Sequence, residues 1–322
     1  MALASPDPVS WILEGKDPSL TWRVLTELRG LPPGDADVVA ARERIGQEGW
    51  AAKILAEQLP TGQWASPGVG SRELYVPKYI ATNWRLLVLS DLGVTRATAS
   101  VARAVELMLT AEEGPDGGLS GKGAELCFTG NAARMLARFG YLDDPRFPPI
   151  VAWLVRTQKV DGGWYCWEGD RGSLDCWEAL AAFEAIPPGR RTAEVNRSIE
   201  RGAEFYLSNG LLGATPGEYP PWGRMHYPVH YYYDFLVGLD VLTRLGYGRD
   251  PRLGPALDHL ERLRSADGSW VMGPAHPDLP PEEGEYRPGT PIYPFVLEYP
   301  GRPSRWLTLT ALAVLRRAGR GP

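Results

Sequence analysis

The sequence has no block of lysine and arginine, and its 34 basic residues are outnumbered by 39 acidic ones, for a net charge of −5. A nucleic-acid partner needs a concentrated basic face to displace counterions from phosphates, so none is expected. No apolar run approaches the roughly 20 residues that span a bilayer, so no transmembrane segment is expected. The opening residues, MALASPDPVSW, lack the charged and apolar regions of a signal peptide. Cysteine is scarce: three residues, an odd number without disulfide-framework spacing. A reducing, cytoplasmic setting fits that usage. No segment alternates apolar and polar residues convincingly, so no sheet is read.

Tryptophan, by contrast, is abundant, with twelve in 322 residues. Glycine turns recur with it: LPTGQWA near Gly62, EGPDGGLS near Gly117, KVDGGWYC near Gly162 and ADGSWVM near Gly268, with a weaker LSNGLLG near Gly210. Their irregular spacing of roughly 45 to 60 residues points to one supersecondary unit per repeat. Apolar helical segments follow the turns, most of them ending in glycine. They end at Gly93, Gly140, Pro187, Gly246 and Gly319, and an earlier one ends at Gly30. A terminal glycine is a left-handed helix stop. These segments are apolar on nearly every face, as buried helices are. A second set, including TASVARAVELMLT and TAEVNRSIERGAEFYL, carries charge along one side. Two of this set open with Asp-Pro, an N-cap followed by proline at the first helical position. The pattern predicts a single all-α domain over residues 1–322, with buried inner and amphipathic outer helices closed into a ring.

The run Gln158-x-x-Asp161-Gly162-Gly163-Trp164 resembles the Gln-Trp repeat of squalene and hopene cyclases. Nearly the whole chain is similar to the prenyltransferase and squalene-oxidase repeat superfamily, with turns at Trp64, Leu119, Trp164 and Trp270. The resemblance implies an (α/α)6 toroid, with room for one toroid. It implies an isoprenoid-related enzyme that binds an apolar or prenyl substrate in a central cavity. The cyclases open an inner helix with Asp-x-Asp-Asp. The matching stretch here is Ser173-Leu174-Asp175-Cys176, acidic only at the central position. Protein prenyltransferases have a zinc-binding Asp-x-Cys near that point and a histidine on the last inner helix. Here Asp175 and Cys176 are adjacent, and Thr308 and Thr310 stand where the histidine is expected. A prenyltransferase of this kind also needs a helical partner subunit.

In such a ring the N-terminal ends of the inner helices meet at one mouth. Asp175 and Glu178 are then candidate catalytic acids: two nearby, partly desolvated carboxylates repel, and one stays protonated. Trp84, Arg85, Asn131, Arg134, Trp164, Trp167, Trp177, His230, Tyr231, Asp234 and Arg305 are candidate substrate-binding residues. Aromatic walls suit carbocations and apolar ligands alike. Cys127, Cys166 and Cys176, with His226, form a candidate zinc site. The alternatives are helix caps, core packing and buried thiols, which give a toroid that binds a peptide or apolar ligand without catalysis. The long proline-rich segment 271–303 is expected to cover the mouth as a lid.

Overall fold

The computed structural model describes residues 7–68, 70–120, 124–213, 219–273 and 297–321. It is mostly helical: α1 (Pro8–Glu14), α2 (Pro18–Arg23), α3 (Ala36–Arg44), α4 (Gly49–Ala56), α5 (Ser71–Tyr75), α6 (Thr82–Asp91), α7 (Ala99–Ala111), α8 (Leu126–Phe139), α9 (Phe147–Arg156), α10 (Glu178–Ala185), α11 (Ala193–Asn209), α12 (Phe235–Arg244), α13 (Gly254–Arg262) and α14 (Arg305–Arg317). A π-helical turn, Val24–Leu28, prolongs α2. None of these helices is long and apolar enough to cross a membrane.

Burial divides the helices as the sequence pattern predicts. Every residue of α8 except Cys127 and Arg138 is buried, and α6, α10, α12 and α14 are nearly as enclosed. Helices α7, α9, α11 and α13 bury one face only. The enclosed helices pack in sequence order: α6 on α8, α8 on α10, α10 on α12 and α12 on α14. Helix α14 packs back on α2 and its π turn, α2 packs on α4, and α4 on α6.

The repeat turns share one hydrogen-bond scheme. The indole N–H groups of Trp64, Trp164 and Trp270 donate to the carbonyls of Ile54, Leu154 and Leu260, each ten residues earlier, at 2.7, 2.9 and 2.8 Å. Glutamine ties the turn to the next outer helix. The amide of Gln58 donates to Gly62 and Ser100, and that of Gln158 to Gly162 and Ser198. Gly162 has φ +92°, and a Cβ there would lie 2.3 Å from the Arg201 carbonyl oxygen. Only glycine fits such a position. Trp164 is therefore a plug between neighbouring helix pairs, bonded to backbone.

Three expectations change. A two-residue antiparallel ladder joins Trp270–Val271 to Pro303–Ser304 at the base of the long loop, too short to leave an alternating pattern. Asp144 closes a short turn ahead of α9, accepting from the Arg146 N–H, and is not its N-cap, whereas Asp250 is an N-cap followed by Pro251 as expected, on a short 3-10 turn that runs into α13. Helix α10 starts at Glu178, so Asp175 precedes the helix and does not lie in its first turn.

The plug assignment yields a stability contrast. Trp164→Ala should cost about 3–5 kcal/mol in urea unfolding, because it opens a cavity and strands the Leu154 carbonyl. Trp167→Ala, at a site 75 % exposed, should stay within about 0.5 kcal/mol.

Candidate functional site

The N-terminal ends of the enclosed helices are filled. The segment from Met225 to Tyr233 runs across them, fixed at several points. The Gly273 N–H donates to the Met225 carbonyl at 2.7 Å. Asn131 donates to the His230 carbonyl at 3.1 Å, and the Trp177 indole reaches the Tyr231 carbonyl at 3.4 Å. The Tyr227 ring stacks on Trp306 at 4.2 Å between centroids. The His230 ring is buried between Tyr79 (5.1 Å) and Trp84 (5.4 Å). Burial first, with His226, Arg85 and Arg134 acting in the same direction, holds its pKa well below the ordinary value. Trp84, Tyr231 and His230 are thus parts of an aromatic plug, and the mouth expected at this end is closed.

A cavity of about 390 Å3 lies toward the other ends of the same helices. Trp177, Tyr227 and Trp306, all buried, form an aromatic floor. Its rim is charged. Asp91, Arg138, Glu184 and Arg244 line it, and Glu27 joins them from the π turn after α2. Each rim residue on α6, α8 and α12 stands two positions before the glycine that ends its helix. This regular charge near the end of an otherwise apolar segment is the signal that the sequence reading passed over.

Most rim charges are paired. Glu27 accepts from Arg23 at 2.7 Å, Arg244 at 2.5 Å and Arg317 at 3.4 Å. Burial alone would raise the Glu27 pKa, but these three guanidiniums, Arg23 foremost, hold it well down. Asp240 is held down in the same way by Arg244 and Arg317 against its own burial. Arg138 pairs with Asp91. Arg134 differs: it is 4 % exposed, lines the cavity, and has no hydrogen-bond or ion-pair partner among the described residues. Its guanidinium lies 4.8 Å above the Trp177 ring. Burial, reinforced by Arg138, lowers its pKa to about 10.

The two candidate acids are separated. Asp175 is exposed, outside the cavity lining, and accepts the Trp222 indole N–H at 2.7 Å. Protein crowding its carboxyl raises its pKa, while the hydrogen bonds from Trp222 and Ser173 oppose the rise. Glu178 is completely buried and neither of its oxygens has a partner among the described residues. Burial first, then the neighbouring Cys166, raises its pKa well above 4.5, and the charge of Arg134 opposes the rise without reversing it. The expected shared helical face is absent because Asp175 is drawn outward before α10 begins.

The three cysteines do come together. Cys166 Sγ lies 3.7 Å from Cys176 Sγ and also contacts the Cys127 thiol. Both neighbouring thiols donate toward Cys166, making it the first of the three to ionise and raising the other two. His226 is elsewhere: its Nδ1 is 2.8 Å from Asp234 Oδ2, and the other oxygen of Asp234 caps α12 at Val237 N–H. Among the described residues no group of three or more His, Cys, Asp or Glu side chains is arranged to hold a metal ion, so geometry lends the zinc reading no support.

The remaining candidates have structural partners. Arg85 bonds Glu57 at 2.8 Å and the Ile80 carbonyl. Arg305 lies over Trp11 at 4.6 Å and bonds its carbonyl. Trp167 is on the outer surface. Of the segment 271–303 expected to act as a lid, residues 274–296 lie outside the described residues. The flanks of that segment are bound at the start of α14, where Glu298 accepts the Arg305 N–H at 2.6 Å.

No family model matches the chain, and no curated protein matches it. Solved structures of similar shape include a protein from Actinoplanes, at TM-score 0.47 and 18% identity over 97% of this chain and 100% of that one. The type II terpene cyclase MstE from Scytonema gives TM-score 0.47 and 19% identity over 94% and 88%. A polysaccharide lyase gives TM-score 0.47 and 12% identity over 99% and 98%. At this level of similarity no activity is carried over from any of them.

Glu178 makes the stability pH-dependent. Between 4.5 and its raised folded value, the native state keeps a proton that the unfolded chain has lost, so stability falls as pH rises. Glu178→Gln should therefore be more stable than the wild type at about pH 8. That gain should shrink toward pH 4.5 and vanish below it, as thermal unfolding across the range will show.

Proposed function

We propose that the protein is a single-domain (α/α)6 toroid over residues 1–322 that binds a small molecule with an apolar body, of which an isoprenoid is one form, in its central cavity. The observation that carries this reading is the cavity of about 390 Å3 with its floor of Trp177, Tyr227 and Trp306. Its size is in the range of small-molecule sites, and stacked aromatic rings offer an apolar ligand a large preformed surface. The packing order of the enclosed helices, with α14 against α2, supports the closed ring.

Binding without turnover is the better-supported form, because Asp175 is exposed and outside the cavity lining. A second reading keeps acid-assisted chemistry, and the buried, unpaired Glu178 favours it. A carboxyl kept neutral by burial is a general acid. Glu178, however, does not border the cavity, so it reaches a ligand only if the structure rearranges.

Added farnesol or geranylgeraniol should raise the melting temperature by roughly 2–5 °C, equally in the wild type and in Asp175→Asn. The alcohol should be recovered unchanged by gas chromatography. A converted product that disappears in Glu178→Gln would establish the second reading. No melting shift with either alcohol, and no ligand released on extraction of the purified protein, would remove both.

A further inference from the structure

We infer that the cavity contains an oxyanion site at Arg134, made for a ligand with a carboxylate head and an apolar body. This deepens the reading of the cavity as a ligand site and rests on it.

The first ground is the state of Arg134. Its Nε and Nη2 are buried and have no hydrogen-bond partner among the described residues. A buried guanidinium without an acceptor is strongly disfavoured, and native structures rarely leave one so. The other buried or half-buried arginines of the cavity are committed. Arg23 is bound to Glu27, Arg138 to Asp91, and Arg244 to both Glu27 and Asp240. Arg42 is exposed and stacks on Trp22 at 4.7 Å. Arg134 alone among these has no acceptor among the described residues, and a ligand in the cavity would supply one.

The second ground is its setting. Trp177, against which the guanidinium rests, is also part of the cavity floor. A planar guanidinium held against an aromatic face keeps its N–H groups in a fixed plane, the geometry that receives a carboxylate. A ligand whose head meets Arg134 has its body over Trp177, Tyr227 and Trp306.

The third ground limits the charge. Asp91 and Glu184 line the same cavity. Both act on Arg134 electrostatically without bonding it. A head with one negative charge is accommodated beside them, whereas a diphosphate meets repulsion.

The test is calorimetric titration with decanoate, decanol and inorganic phosphate, on the wild type and on Arg134→Gln. Decanoate should bind the wild type at least about tenfold more tightly than decanol, the usual size of a charge-assisted hydrogen-bond pair. Arg134→Gln should lose that advantage while its affinity for decanol is unchanged. Equal affinity of the wild type for decanoate and decanol overturns the oxyanion site and leaves the cavity reading standing. Binding of neither overturns both. Phosphate that binds where decanoate does not overturns the apolar body of the inferred ligand. The wild-type comparison needs no variant, so it decides the matter even if Arg134→Gln does not fold.

Discussion

One buried indole per turn sets the geometry on which the rest depends. Trp64, Trp164 and Trp270 each donate to a carbonyl ten residues earlier, and each is almost wholly enclosed. The bond closes an outer helix onto the turn that follows it. The glycine beside it supplies the left-handed backbone that makes the reversal possible. Threonines then link the turn to the next enclosed helix. Thr82, Thr129 and Thr308 accept the N–H of Trp64, Leu119 and Trp270 at 3.0, 2.9 and 3.0 Å. All three stand eleven residues before a helix-ending glycine, at Gly93, Gly140 and Gly319. The repeat is thus a set of matching hydrogen bonds as well as a matching sequence.

The start of α10 explains why Asp175 departs from its expected role. Helix α10 begins at Glu178, so Asp175 stands three residues before it, whereas Thr82, Thr129 and Thr308 lie inside their helices. Burying an unpaired charge is costly, and Asp175 instead turns to the surface, where Trp222 donates to it. The sequence showed an acid at the start of an inner segment. It could not show that the helix itself begins three residues later.

The helical class, the burial of the glycine-ended segments and the turns at Trp64, Leu119, Trp164 and Trp270 were legible in the sequence, because 3.6-residue periodicity and glycine stops are local signals. The convergence of Cys127, Cys166 and Cys176 was legible too, from their places beside successive turns. The end at which the cavity opens was not. That depends on the segment from Met225 to Tyr233, whose polar and aromatic residues read as the wall of a mouth and in fact fill it. His226 and His230 have helix-type spacing in the sequence, but Pro228 stands between them. In the structure one is bonded to Asp234 and the other is enclosed by Tyr79 and Trp84, contacts between residues far apart in the chain or set by a non-helical backbone. The rim of charges on α6, α8, α12 and the turn after α2 depends on the same three-dimensional closure.

The central claim is that the enclosed helices surround a cavity that opens toward their C-terminal ends and is closed at the other. Thiol labelling tests it most directly, in a chain whose own three cysteines are replaced by serine. Ala185 lines the cavity near the end of α10, and Asn131 lies under the plug against His230. A charged methanethiosulfonate should modify Ala185→Cys rapidly and Asn131→Cys only at the rate of global unfolding. Rapid modification of Asn131→Cys with protection of Ala185→Cys would place the opening at the opposite end and contradict the account.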